Sequence, residues 1–452
     1  MNFVLDALFV LISTVNIWIL LSLLYYFVIS FWGFSKMTKY GEHAPKTRFL
    51  VFIPACNEEL VIRDVIRSVQ KTEYPSSLID IFVIADNCTD QTRARALAQG
   101  ARVIETKSLP GEPVGKPHAI KKVLTAHPEF YEDYDMLTIF DADNVVGARF
   151  FAEVNSQYLD QGKPAAIQGY LGCKNKAGLV AFYYYHSYTL TNRFFQLTRY
   201  RLGINCSVGG TGLAFCLKAL ARVGGWRANT LTEDMEMQLL FTRNGERILW
   251  NHYAKIYDEK PTTASTAFKQ RTRWSQGHWY VSLRNAGPLI GAFFRRRIPF
   301  KELISSFFYM FSMPLSVQIP LLAVMAVLTI ALRQFQPLVF LGLDNWSWLH
   351  NGLLFLTFLY TLFGLFFVAD YMDNQEKPRF SSLCWVVASY ITLYPLTLVS
   401  QVLGFFRHGN QRIWVKTDHG ITVTPETDQN ESQNVLNVLF EEEPQERKQN
   451  VV

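Results

Sequence analysis

The uncharged run Leu8–Phe34 constrains this chain more than any other feature. About 20 apolar residues cross the hydrocarbon layer of a membrane as a helix, and lipid tolerates no spanning structure that leaves its backbone unpaired. Asp6 alone precedes the run. No basic segment opens it and no small-residue cleavage site follows, so it reads as a retained transmembrane helix and not as a removable leader. The pattern returns at Leu303–Leu332, Trp346–Ala369 and Phe380–Phe406, where Ser, Thr, Gln and Pro interrupt the stretches but Lys, Asp and Glu do not. Pro314, Pro320 and Pro395 are expected to kink these helices, which packed neighbours accommodate. Four such stretches are hard to bury in one soluble domain.

Between them lies the polar stretch Ser35–Pro299. Basic residues flank it at both junctions: Lys36, Lys39, Lys46 and Arg48 on one side, Arg295, Arg296, Arg297 and Lys301 on the other. The positive-inside rule puts both junctions in the cytoplasm. The tail is ambiguous, because three later crossings would leave it outside while Arg407, Arg412 and Lys416 follow the last helix directly. Either one stretch is re-entrant or the tail breaks the rule. Its last part, Asp428–Val452, is acidic and polar and reads as disordered.

Charge and cysteine usage exclude other classes. A net charge of +6 is too mild for a nucleic-acid binder, and six cysteines in 452 residues do not make a disulfide scaffold. The polar stretch alternates strands and helices. Phe49–Pro54 is a short apolar run of the buried-strand kind, and Ile79–Ala85, Arg102–Glu105, Met136–Phe140 and Leu213–Leu217 are further strands. Glu58–Lys71 carries Leu60, Val61, Val65, Ile66 and Val69 at helical spacing; Ala94–Ala98 and Lys116–Ala126 are also helical. Such alternation implies a mostly parallel sheet with helices on both faces, whose ligands sit at the carboxyl ends of the strands.

Carboxylates gather at those ends. The first strand exits into Pro54-Ala55-Cys56-Asn57-Glu58-Glu59, the second into Asp86-Asn87-Cys88-Thr89-Asp90, and the fourth into Asp141-Ala142-Asp143-Asn144. An acidic rim repels phosphate unless a divalent cation bridges the two. Asp141 and Asp143 are therefore the expected metal ligands, Asp86 a nucleotide contact, and Pro54, Asn57 and Glu59 further donor-side residues. Asp90 reads as a helix cap. Gly209-Gly210-Thr211-Gly212 is either a close backbone approach to a ligand or a tight turn. Thr232-Glu233-Asp234 opens an apolar helix, where a carboxylate is well placed as a general base. In Gln270-Arg271-Thr272-Arg273-Trp274, the arginines offer charge to a diphosphate and Trp274 a flat face to a sugar ring.

The ordered set Asp86, Asp141-Ala142-Asp143, Thr232-Glu233-Asp234 and Gln270-x-x-Arg273-Trp274 resembles the membrane-embedded family 2 glycosyltransferases, among them cellulose, chitin, hyaluronan and poly-N-acetylglucosamine synthases. The resemblance covers about residues 48–285. It implies an α/β GT-A domain inserted between transmembrane helices. It further implies Asp86 on the nucleotide, Mg2+ or Mn2+ held on a UDP diphosphate by Asp141 and Asp143, and Asp234 as the base for the acceptor hydroxyl, flanked by Thr232 and Glu233. Gln270, Arg273 and Trp274 would cover the diphosphate and the acceptor end, and Lys116 matches a Gly-Lys element on the nucleotide side. Two departures stand out: Asn87 where many relatives carry an acid, and Arg199–Gly212, which matches no one synthase on the acceptor side. Trp414-Val-Lys-Thr417 is similar to a Trp–Thr motif after the last helix of some synthases, which favours a cytoplasmic tail.

The expected layout is a transmembrane helix over 1–35, a cytoplasmic GT-A domain over 36–260, interfacial helices over 261–300, three transmembrane helices over 301–407, and a polar tail over 408–452. The expected activity is inverting, metal-dependent extension of a β-linked polysaccharide from a UDP-sugar of glucose or N-acetylglucosamine type, at the plasma membrane. The alternative is a lipid glycosyltransferase acting on ceramide, diacylglycerol or a polyprenyl acceptor. Expected partners are the donor, the growing chain or lipid acceptor and membrane lipids, with an accessory export or regulatory subunit allowed. Nucleic acid is not among them.

Overall fold

The computed structural model describes residues 2–36, 39–109, 111–312, 360, 364–377 and 379–411. The expected stretch at Leu303–Leu332 beyond Ser312, most of Trp346–Ala369, Pro314, Pro320 and the tail from Arg412, with Trp414–Thr417, lie outside them.

A long apolar helix, α1 (Asn2–Ser30), precedes an alternating α/β domain. That domain runs β1 (Phe49–Ala55), α2 (Ile62–Gln70), β2 (Ile79–Asp86), α3 (Thr92–Ala98), β3 (Arg102–Thr106), α4 (Lys116–Ala126), α5 (Phe130–Asp133), β4 (Met136–Ile139), β5 (Val145–Val146) and α6 (Phe150–Asp160). It continues through β6 (Ala166–Cys173), α7 (Leu179–Thr191), α8 (Thr198–Arg201), β7 (Leu213–Cys216), α9 (Leu217–Arg222), α10 (Glu233–Arg243) and β8 (Ile248–Asp258). Then come α11 (Ala264–Phe294), α12 (Phe300–Phe311), α13 (Leu365–Asn374) and α14 (Phe380–Arg407), the last continuous through Pro395. Two described stretches, Ile17–Phe34 and Phe380–Arg407, are long and apolar enough to cross a membrane.

The eight strands form one sheet in the order β3-β2-β1-β4-β7-β6-β8-β5. Its β3-β2-β1-β4 half is parallel, as is β6 with β8; β7 runs antiparallel to both β4 and β6, and β5 to β8. β1 is buried almost throughout, which is why its sequence shows no alternation: both faces are covered, and each fully buried Leu, Ile, Val or Phe contributes about 1.5–3 kcal/mol.

Register aligns the functional edge. Ala55 pairs with Ala85, and Phe52 with Ile139, so the residues after β1, β2 and β4 leave the sheet at one rim. Ile139 also pairs with Leu213, which brings the glycine-rich segment before β7 to that rim. Helix α2 starts four residues later than the apolar spacing predicts. Glu58 instead accepts turn hydrogen bonds from the amides of Val61 and Ile62, and Leu60 is left exposed. Gly169, at the irregularity between β6 and β8, allows close strand packing; a Cβ there would run into the Ala254 carbonyl. Gly169→Ala is therefore expected to destabilise the domain by about 1–3 kcal/mol, read as a lowered melting temperature.

Candidate functional site

A cleft of about 440 Å³ opens on this rim. Asp86, Lys116, Asp141, Asp143, Thr232, Glu233, Asp234, Gln270, Arg273, Trp274 and Pro54 all line it. Asn57 and Glu59 are not among the lining residues. Asn57 accepts a hydrogen bond from the Thr89 amide at 2.7 Å, and Glu59 accepts one from the Gln91 amide at 3.0 Å, so both side chains tie the first loop to the second. Cys56 and Glu58 line the cleft in their place. Asp90 stands one residue before Gln91, the N-cap of α3, and accepts from the Thr92 amide at 3.0 Å, so it holds the turn into the helix without being its cap.

Asp86 is buried, accepting from the Thr106 hydroxyl at 2.8 Å and from the Asn87 side-chain amide at 2.9 Å. Lys116, brought in at the start of α4, donates to Asp141 Oδ1 at 2.6 Å and to the Gly210 carbonyl at 2.7 Å, and lies 3.5 Å from Glu233. Burial opposes its charge, but Asp141, Glu233 and Asp234 outweigh that and raise its pKa. Asp141 is held from its backbone, its amide donating to Asn144 Oδ1 and Thr211 Oγ1 at 3.1 Å each. Asp143 is buried and accepts from the Glu259 amide at 3.2 Å. Gly210 has φ +78°, a conformation glycine adopts without strain, and packs against the Asp234 carboxylate.

Asp234 sits in the first turn of α10. Burial, and then the neighbouring Glu233 charge, push its carboxyl up to about 7, against the Met235 amide, Lys116 and Arg273. Arg273 projects from α11, its pKa pulled down by burial against the attraction of Glu233, Asp141 and Asp234; its Nε is buried without a hydrogen-bond partner among the described residues. Gln270 accepts from the Tyr184 hydroxyl at 2.9 Å. Trp274 meets Tyr184 edge-on, with ring centroids 6.3 Å apart. Arg271 instead lies over Tyr183 and Tyr184, away from the lining.

Sequence reading missed part of the wall. Asp258 and Glu259 line the cleft at the end of β8, and Asp258 is pushed up to about 6 by burial despite the Lys260 ammonium beside it. The signal was the same as for the other carboxylates, acids leaving a strand, but Asn251, His252 and Lys255 masked the strand. Tyr188, His278, Tyr309 and Gln411 also line the cleft from segments far apart in sequence.

The carboxylates at this rim offer hard oxygen donors of the kind Mg2+ or Mn2+ prefers. Among the described residues no three His, Cys, Asp or Glu groups converge closely enough to hold a metal by themselves.

The sheet and its helices, with the acidic rim at the strand ends, define a protein of the GT-A glycosyltransferase type. Residues 45–277 match the family model described as glycosyltransferase like family 2, and the chain belongs to that family. Among curated relatives, the probable glycosyltransferase YdaM of Bacillus subtilis is 26% identical over 66% of this chain and 71% of its own. The poly-beta-1,6-N-acetyl-D-glucosamine synthase of Staphylococcus epidermidis is 25% identical over 60% of this chain and 65% of its own. The beta-monoglucosyldiacylglycerol synthase of Nostoc sp. is 25% identical over 52% of this chain, which spans about half of that protein's length. The fold is similar to that of the mannosyltransferase PcManGT from Pyrobaculum calidifontis, solved with GDP-Man and Mn2+: TM-score 0.50, 16% identity, covering 82% of this chain and all of that one.

Proposed function

We propose that this chain is an inverting, divalent-metal-dependent transferase that extends a β-linked polysaccharide from a UDP-sugar of glucose or N-acetylglucosamine type. One observation carries the reading: a single cleft holds the Asp141/Asp143 rim, the cations Lys116 and Arg273, and a half-buried Asp234 whose carboxyl is pushed up to about 7. In the step this implies, Asp234 takes the proton of the acceptor hydroxyl as its oxygen bonds to the anomeric carbon. The bond from that carbon to the diphosphate breaks, its electron pair leaving with UDP, and Lys116 and Arg273 neutralise the charge that develops. Asp141 and Asp143 would hold Mg2+ or Mn2+, which supplies further neutralisation of the diphosphate. Asp86 would contact the nucleotide, and Gln270 and Trp274 the acceptor end. Glu233 holds Lys116 in place, and Thr232 precedes the base at the helix cap.

A single displacement turns an α-linked donor into a β-linked product; an α-linkage seen by NMR would remove the inverting assignment. Asp143→Ala is expected to abolish metal-dependent UDP binding. Unchanged UDP affinity with Mn2+, measured by calorimetry, would take Asp143 out of the metal site.

The aromatic side of the cleft, Tyr188, Trp274 and Tyr309, supports a polymer acceptor, since flat rings stack on sugars. The matches to monoglucosyldiacylglycerol synthases favour a second reading, one sugar added to a lipid. Purified protein incubated with labelled UDP-sugars separates the two: a size ladder supports the polymer, a single lipid-soluble product the glycolipid. In either case α1 and α14 would anchor the chain in the plasma membrane as part of a multi-pass assembly, with the α/β domain on the cytoplasmic side and α11 along the interface. The polymer reading adds export of the chain through the membrane helices, alone or with an accessory subunit.

A further inference from the structure

Five arginines meet in a second cavity, of about 340 Å³, at the opposite end of α10 from Asp234. Arg222 ends α9, Arg243 ends α10, Arg295 caps α11, and Arg227 and Arg297 complete the wall with Gly224, Leu240, Asn244, Pro288 and Ala292. Helix C-termini attract cations, so part of this charge has a structural cause. The magnitudes leave a surplus. Three helix ends supply about −1.5 charges between them, and Glu246, bound to Arg222 at 2.8 and 3.0 Å, and Glu236, whose charge acts on Arg243, supply two more, against five guanidinium charges. Among the described residues Arg227, Arg243, Arg295 and Arg297 form no carboxylate ion pair. Arg243 is half-buried, donates to Asn285 at 3.2 Å, and has its pKa pushed down by burial and by the charge on Arg227, against the attraction of Glu236.

Four of these arginines are exposed, and the turn that carries two of them is held by its backbone. The Arg296 amide bonds the Phe293 carbonyl at 2.8 Å and the Arg297 amide bonds Ala292 at 2.9 Å, closing α11 with Arg296 at φ +58°. Glycine usually takes that place. The turn directs Arg295 and Arg297 into the cavity and leaves Arg296 outside its lining. Gly245, at φ +77°, lets it dock: a Cβ there would sit 2.8 Å from the Arg297 carbonyl. On either side of the turn, Phe294 and Phe300 are 77% and 62% exposed, large apolar side chains bare beside a cationic pocket.

We propose that this pocket holds the phosphate of an anionic phospholipid headgroup, with Phe294 and Phe300 set among the acyl chains. Guanidinium forks match phosphate oxygens bidentately, and basic pockets beside membrane segments take anionic headgroups. The occupant is independent of the sugar chemistry, so the test reads lipid binding and not transfer. Full-length protein in neutral detergent is titrated with short-chain phosphatidylglycerol, phosphatidylcholine and inorganic phosphate. Wild type is expected to bind phosphatidylglycerol at least tenfold more tightly than either of the others. Arg227→Gln with Arg297→Gln should lose tenfold or more of that affinity while UDP affinity and melting temperature stay unchanged. Arg296→Gln, the same charge removed one residue outside the pocket, should lose less than twofold. An equal loss in Arg296→Gln would reduce the effect to general surface charge and overturn the pocket. Inorganic phosphate binding as tightly as the lipid would overturn the lipid assignment, and no preference for phosphatidylglycerol in wild type would overturn both.

Discussion

Asp234→Asn is expected to lower the rate of sugar transfer by roughly 10²–10⁴-fold, the range removed with a general base, while UDP affinity holds near that of the wild type. The amide keeps the shape of the side chain and its place in the first turn of α10 but takes no proton. In the wild type, burial and Glu233 hold the carboxyl at about 7, so activity should fall as pH is lowered through that value, where the base becomes protonated. The same shift has a cost in stability. The folded pKa lies above the ordinary 3.8, so the contribution of Asp234 is fully present below about pH 4 and is lost as pH rises towards 7. Asp234→Asn escapes that loss. Its melting temperature should gain on the wild type between pH 4 and 7 and level off above. A difference that stays flat across this range would show that the Asp234 carboxyl is not raised in the folded protein, and transfer at wild-type rate would remove it as the base.

Asp373→Ala should destabilise the protein by about 3–5 kcal/mol, the cost of leaving a buried charge without its partner. The Asp373 side chain is 1% exposed and accepts from Arg193 Nε and Nη2 at 2.9 and 2.6 Å and from His252 Nε2 at 3.0 Å. Burial works against its charge, yet those two partners hold the carboxyl below its ordinary value. Arg193, 4% exposed, also donates to the Gly33 carbonyl at 2.7 Å. One carboxylate thus joins α13, strand β8 and the segment after α7, and through Arg193 the end of the first apolar helix. Asp373→Asn keeps one carbonyl oxygen as acceptor and should lose less. A melting temperature for Asp373→Ala within one degree of the wild type, in detergent, would mean that this junction does not hold the α/β domain to the helices around it.

Strands β1, β2, β4 and β7 were legible because each is a short apolar run, the mark of a strand covered on both faces, and the edge strand β3 because it follows in the same alternation with helices. Strands β6 and β8 were not. Gln168 and Gly169 interrupt one, and Asn251, His252 and Lys255 the other; these polar groups are tolerated because the structure supplies partners, such as the Thr211 carbonyl for Gln168 at 2.9 Å and the Glu153 carbonyl for Asn251 at 3.1 Å. The beginning of α2 was misplaced for a related reason. Leu60 fits helical spacing, but the preceding loop is held by Thr89, Asp90, Gln91 and Thr92, and spacing carries no information about those bonds.

The segregation of the chain into apolar stretches and an α/β domain, and the acids at the strand ends, follow from local order: a run of uncharged residues, and a carboxylate that follows a strand. Which acids share a cleft, and in what state, depends on contacts between segments far apart in the chain. Asn57 and Glu59 have the right position and chemistry yet are turned into loop contacts, whereas Asp258 and Glu259 enter from the far side of the sheet. The state of Asp234 is likewise a product of neighbours brought from elsewhere. Burial and Glu233 raise its pKa, and Lys116 and Arg273, contributed by α4 and α11, limit the rise. Electrostatic energy depends on distance through space and on the water excluded there, and neither is written in the order of the residues.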